Sequence, residues 1–239
     1  LKFQQLYSSS IGNLYMVTAA NGKRLMIECG VVWPKLQKAL NYELGGIVGC
    51  LVSHEHADHS KAVVDVMKAG IDVYGSTGTL GECGVFGDRR ALTIYAEKLY
   101  RIGDFIVAGY NSNHDAAEPL IYIIQCGNEN LLFATDTSHI NQRFKTPFDI
   151  IAIECSYNKE YLTKRVETGA INKELATRLL TSHMEEKEAM RYLAEFCDLS
   201  KCREIHLLHC SADNINKTRI KTEFEKRFYI ETRTVEDCK

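Results

Sequence analysis

Four potential metal ligands, His54, His56, Asp58 and His59, fall within six consecutive residues directly after the apolar run Gly46-Ile47-Val48-Gly49-Cys50-Leu51-Val52. A short apolar run of this kind reads as a buried strand. Three imidazoles and the carboxylates of Glu55 and Asp58 crowded at its mouth repel one another unless a cation gathers them. A solvated polar loop would account for the segment alone. It would not account for the isolated His and Asp residues that end several later strands.

Side chains alternate along an extended segment, so His54 and His56 share one side, where two neutral imidazoles can hold one divalent ion, and Glu55 points elsewhere as a non-ligand. From Ser60 to Ala69 the pattern becomes helical, and Gly70 ends it. Asp58 and His59 therefore sit where the backbone turns into a helix and can serve a second ion. Two ions about 3.5 to 4 Å apart can share a bridging hydroxide, an arrangement suited to attack on a phosphoryl or acyl centre at neutral pH. Further ligands are required, and the chain offers His114 after the strand-like Phe105-Ile106-Val107-Ala108, Asp136 after Asn130 to Thr135, and His209 after Glu204 to Leu208.

These residues resemble the HxHxDH signature, with a later His, a later Asp and a final His in that order, of the metallo-β-lactamase-fold hydrolases. The match spans nearly the whole chain. Within that superfamily the chain is similar to the YycJ (WalJ)-like branch and, more distantly, to tRNase Z-like phosphodiesterases. The supporting segments are His114-Asp115-Ala116-Ala117-Glu118-Pro119, Ala134-Thr135-Asp136-Thr137, Ile153-Glu154-Cys155-Ser156 and Ser182-His183-Met184. The resemblance implies an α/β fold, an αββα four-layer sandwich of two mixed sheets face to face with helices outside. It also implies two divalent ions: His54, His56 and His114 on one, Asp58, His59 and His209 on the other, and Asp136 between them. The chain departs from the pattern at Ser182-His183-Met184-Glu185, where relatives read Gly-His-Leu-Ser or Gly-His-Ser-Ser, and at Tyr157-Asn158, where some branches place a histidine.

A chain of 239 residues with 45% hydrophobic content can bury a full core. It is expected to form one domain over residues 1–239 from two fused αβ halves, with a boundary near residues 115–120. No apolar run is long enough to span a membrane and no leader pattern opens the chain, so a soluble, cytoplasmic protein is expected. Nine scattered cysteines lack zinc-ribbon spacing and suit a reducing cytoplasm. A formal charge of −2 provides no global attraction for nucleic acid. The cations between Asn216 and Arg227 lie on a helix whose Ile220, Phe224 and Phe228 mark a buried face, and read as its solvated side.

Leu14 to Thr18 and Arg24 to Glu28 flank Asn21-Gly22, a hairpin signal. A helix over Pro34 to Leu40, strands over 47–52 and 71–74, a polar insertion from Ser76 to Arg90, a strand-like stretch from Thr93 to Arg101 and a second hairpin over 120–125 and 130–134 follow. In the second half Asp149 to Ile153 reads as a strand, and Ser182 with Glu185 has capping-box spacing for a helix from Glu186 to Phe196. His183 would then stand in the first turn of that helix, where anions are favoured. His139 and His206 read as structural or exposed.

The function expected from this set is hydrolysis by a metal-bridging hydroxide, with zinc first and manganese or iron as alternatives. Asp58 would orient the nucleophile, and His183 would contact a phosphoryl oxygen or protonate the leaving group. A phosphodiesterase or nuclease acting on nucleic acid or a nucleotide is the leading expectation. The rivals are a hydrolase of a lactone, thioester or cyclic nucleotide, and a non-catalytic metal-stabilised binding protein.

Overall fold

The computed structural model describes residues 1–210 and 214–238. The chain divides into two compact units, one of Leu1–Asn111 with Ala116–Glu129, the other of Ser112–Asp115 with Asn130–Asp237. In the first lie β1 (Lys2–Tyr7), β2 (Leu14–Thr18), β3 (Arg24–Ile27), α1 (Trp33–Ala39), β4 (Ile47–Leu51), α2 (Ala57–Ser60), α3 (Val63–Lys68), β5 (Val73–Gly75), α4 (Thr77–Glu82), β6 (Ala91–Thr93), β7 (Leu99–Ile102), β8 (Phe105–Asn111) and β9 (Leu120–Cys126). In the second lie β10 (Glu129–Ala134), β11 (Ile150–Glu154), α5 (Lys159–Glu167), α6 (Lys173–Ser182), α7 (Glu186–Phe196), β12 (Glu204–Leu208), α8 (Lys217–Phe228) and β13 (Glu231–Arg233). The described strands form two mixed sheets, β1 to β6 and β7 to β13, so the chain has the α/β class and the mixed sheets expected. Among the described residues no helix is long and apolar enough to cross a membrane.

Alternation along the strands builds the first core. Leu14, Met16, Met26, Cys50 and Val52 pack with Leu36 of α1 and Val66 of α3. Gly49, between Cys50 and the preceding residue, lies instead against Ile102 of β7. The Tyr122 hydroxyl on β9 donates to the Val52 carbonyl over 2.7 Å, fixing the end of the strand that leads into the histidine motif.

The motif helix is shorter than the sequence pattern suggests. The expected helix from Ser60 to Ala69 is split into α2 and α3, because Cys29 at the end of β3 enters the hydrogen-bond ladder. Cys29 N–H donates to His59 O (2.8 Å) and Ala62 N–H to Cys29 O (2.9 Å). Next door Gly30 packs so tightly on the Asp58-His59 peptide that a Cβ would overlap the Asp58 carbonyl. That neighbour is backbone and cannot swing aside. Gly30→Ala is therefore expected to destabilise the fold by about 3 kcal/mol or more, read as a fall in the urea midpoint; an unchanged midpoint would contradict the close approach.

Two further readings are corrected. The stretch from Thr93 to Arg101 is no single strand but the end of β6 and the start of β7, which belong to different sheets, and the insertion from Ser76 to Arg90 contains α4, capped by Ser76 Oγ accepting from Thr79 N–H. The Ser182/Glu185 spacing is not a capping box. Glu185 is the N-cap of α7 without a side-chain cap bond, and Ser182 closes α6. His183 is extended (φ −128°, ψ 158°) because the link to α7 pairs with the segment after β11: Ser156 N–H donates to Met184 O and Glu186 N–H to Tyr157 O, each over 3.0 Å.

Candidate metal centre

In the first unit β4 hands the chain to Ser53 and then to the histidines. His54 is buried, with Nδ1 2.8 Å from Ser53 Oγ. Its ring centroid lies 4.7 Å from that of His56, the N-cap of α2, and 4.1 Å from that of His59 inside α2. Asp58 is partly exposed on the same turn. Glu55 turns aside to accept from Ala117 N–H (2.8 Å), consistent with its reading as a non-ligand.

Glu28 and Asn13 hold this group. Glu28 is fully buried at a positive φ of 62°, a conformation that costs energy for a non-glycine residue and recurs at functional sites. Its carboxylate accepts from Ser53 N–H (3.3 Å) and lies 3.5 Å from His59 Nδ1. Burial pushes the Glu28 carboxyl pKa up, and His59 and Ser53 offset this only in part. Asn13 Oδ1 accepts from the Tyr15 hydroxyl (2.9 Å) and Ser9 N–H (3.1 Å), which turns its amide nitrogen toward His59 Nε2 at 3.0 Å. Nε2 thereby accepts from the Asn13 amide, and the proton of His59 is assigned to Nδ1, facing Glu28.

In the second unit two candidate ligands also have positive φ, Asp136 at 44° beyond β10 and His209 at 53° beyond β12. His114 Nδ1 donates to Ser182 O (2.9 Å), leaving the Nε2 lone pair 3.7 Å from Asp136 Oδ2. His209 Nε2 lies 3.9 Å from the other oxygen, Oδ1. One carboxylate thus presents a different oxygen to each of two imidazoles. Burial lowers the His114 pKa, although Asp136 and the bond to Ser182 oppose it, which favours the neutral, ligating form.

Glu154 is the buried hub of this unit. Oε2 accepts from Thr137 N–H (2.7 Å) and Met184 N–H (3.3 Å), and Oε1 from His183 Nδ1 (2.7 Å). His183 stacks on His209 at 5.2 Å between centroids and meets the edge of His114 at 5.3 Å. Burial pulls the His183 pKa down, but the charge and hydrogen bond of Glu154, helped by Asp136 and Asp115, outweigh it and lift the value to about 9. The feature that orients His183 is this carboxylate and not a helix N-terminus. Of the histidines expected to be structural or exposed, His206 is buried with Nε2 3.1 Å from Glu204 Oε2, and His139 is exposed.

The donor set fits divalent ions. Asp136, Glu154, His183 and His209 each offer an atom within 4.8 Å of the others. Ligands at the usual 2.0–2.1 Å around a tetrahedral ion stand about 3.3 Å apart. The Asp136–imidazole separations of 3.7 and 3.9 Å are too long for hydrogen bonds and close to that spacing. The first unit brings together His54, His56, Asp58 and His59; the second brings together His114, Asp136, His209 and His183. Glu28, Glu154 and Asn13 lay outside the site read from sequence, although Ile-Glu-Cys recurs at 27–29 and 153–155, in each case ending a strand on a buried carboxylate beside a histidine.

The model of the Metallo-beta-lactamase superfamily matches residues 9–195. The chain is 26% identical over 225 residues to the Exodeoxyribonuclease YycJ of Bacillus anthracis, covering 90% of this chain and 84% of that protein. Among solved structures it is similar to the metallo-beta-lactamase fold protein YhfI from Bacillus subtilis, with a TM-score of 0.73 at 15% identity over 97% of this chain and 95% of that one. It is also similar to Zn(2+)-bound PqqB from Methylobacterium extorquens, with a TM-score of 0.71 at 13% identity over 97% and 96% of the two chains. At these identities the structural likeness speaks to the fold alone.

Proposed function

The chain belongs to the metallo-β-lactamase superfamily and is a hydrolase of that superfamily, and from this premise we propose that it is a dinuclear metal-dependent phosphodiesterase acting on nucleic acid or a nucleotide. In this reading His54, His56 and His114 would hold one ion, Asp58, His59 and His209 the other, and Asp136 would serve both. Imidazole and carboxylate donors suit zinc first, with manganese or iron as alternatives. When bound, two such ions lower the pKa of water toward neutrality and offset charge on the phosphoryl oxygens.

The observation that carries the proposal is the Glu154-held His183 beside His114 and His209. An alkoxide departing from phosphorus is a poor leaving group and needs a proton. Glu154 accepts from Nδ1 of His183 and favours the protonated ring, so Nε2–H faces outward as the proton to give. A thiolate leaving a thioester has no such need. Asp58 accepts a hydrogen bond from the attacking water and orients it. The relation to an exodeoxyribonuclease over 90% of this chain supports the same bond class. The eight cysteines from Cys29 to Cys210 are free thiols, which supports a reducing compartment such as the cytoplasm.

A substrate panel tests the proposal. Protein loaded in turn with zinc, manganese and iron is offered bis-p-nitrophenyl phosphate, 5′-phosphorylated single-stranded DNA, RNA and cyclic nucleotides at fixed salt, beside a lactone and a thioester. Phosphodiester turnover with at least one metal is expected, with DNA or RNA among the substrates. Turnover of the lactone or thioester and of no phosphodiester would overturn it.

A further inference from the structure

We propose that the cavity beside His183 in the second unit is the subsite for the leaving nucleoside, with the Tyr157 hydroxyl as its specificity contact; this rests on the phosphodiesterase reading above. The cavity measures about 590 Å³, within the ~300–1,000 Å³ range of small-molecule sites, and Tyr157, His183 and Glu185 all line it. The backbone explains why. Tyr157 bridges Glu185 in parallel register. Alternation then puts Tyr157, Glu185 and His183 on one face of the pairing, and Ser156 and Met184, both buried, on the other.

Tyr157 is only 4% exposed. A buried tyrosine hydroxyl ordinarily finds a partner, and others here do: Tyr15 donates to Asn13, Tyr122 to Val52 O and Tyr192 to Gln142 O. The Tyr157 hydroxyl has no hydrogen-bond partner among the described residues and is not sealed from solvent: the ring is clamped against Leu162 and Ala176 while its oxygen stays accessible to a guest. Burial, with Glu185 and Glu154, raises its pKa to about 12, so it is a donor at neutral pH.

The rest of the lining selects a neutral, polar guest. Lys159 and Arg191 are balanced by Glu185 and Glu188, with Arg191 already bound to Glu188 (2.6 Å) and Glu195 (3.1 Å), so among the described residues the one cation left over in the lining is His183, which faces the leaving oxygen in this reading. Ser138 and Thr181 offer hydroxyls and Leu180 an apolar wall. Sugar and base fit this mixture better than a second phosphate does. In the reaction the water oxygen bonds to phosphorus and the bond from phosphorus to the leaving oxygen breaks. The electron pair stays on that oxygen, the His183 Nε2 proton joins it, and the nucleoside hydroxyl is released into the cavity. The proton lost by the water restores His183.

The test compares metal-loaded wild type with Tyr157→Phe, which keeps the ring and the packing, on a thymidine dinucleotide and on bis-p-nitrophenyl phosphate, whose leaving group has no sugar. The variant is expected to lose about tenfold more kcat/KM on the dinucleotide than on the nitrophenyl ester, the cost of one neutral hydrogen bond. Leu180→Trp, which narrows the cavity, is expected to shift the same ratio in the same direction. Equal losses on both substrates, or none, would overturn the subsite. Wild type that cleaves neither substrate would overturn the phosphodiesterase reading, and the subsite with it.

Discussion

Asp136→Ala is expected to lower phosphodiester turnover by more than about a thousandfold, because removing a single electrostatic stabiliser from an active site already costs about a hundred to a thousandfold, and in the proposed centre this residue would serve two ions. Its oxygens face His114 and His209 separately, so no neighbouring group can take over both contacts. The fold should survive, since the side chain lies at the end of β10 beyond the core residues Leu131 to Ala134. Metal analysis of the purified variant should find fewer ions per chain than in wild type, with an unchanged circular dichroism spectrum. Full occupancy with wild-type turnover would remove Asp136 from the site.

His183→Ala is expected to act on a different quantity. A general acid contributes about a hundred to ten-thousandfold, and only where the leaving group needs its proton. Turnover of a dinucleotide should fall by that amount. Bis-p-nitrophenyl phosphate, which releases a stable phenolate, should fall less than about tenfold. Metal content should match wild type, since His183 is assigned to no ion. Glu154→Gln should give the same substrate-dependent pattern, because one amide oxygen cannot accept from both His183 Nδ1 and the Thr137 and Met184 N–H groups, and a neutral amide favours the protonated ring less. A uniform loss on both substrates with depleted metal would make His183 a ligand instead, a role its distances to Asp136, Glu154 and His209 permit.

The histidine motif was legible because its chemistry is compressed into one turn of chain, and His114, Asp136 and His209 because each follows an apolar strand. The residues that orient them were not, since their roles arise from contacts distant in sequence. Asn13 reaches His59 across 46 positions. Glu28 and Glu154 ended hydrophobic strands without a local pattern to mark their partners. The misread segments share a cause: a local signal was overridden by a tertiary hydrogen bond. Ser182 and Glu185 have the spacing of a cap, but pairing with Ser156 and Tyr157 takes the backbone first. The helix pattern after Ser60 yields to the Cys29 carbonyl. Helices α5 and α6 escaped a reading from apolar spacing because they bury little, Leu162 and Ala176 chiefly. Their starts were nonetheless written in Asn158 and Asn172, whose side chains accept from Tyr161 and Leu175 N–H.

The most direct test is a titration of chelator-stripped protein with zinc, manganese or iron, following bound ions per chain and turnover of bis-p-nitrophenyl phosphate together. The account predicts two ions per chain at saturation, negligible turnover before metal is added, and activity that rises as the sites fill. Full turnover in the stripped protein, or saturation with two ions and no phosphodiester turnover with any of the three metals, would contradict it.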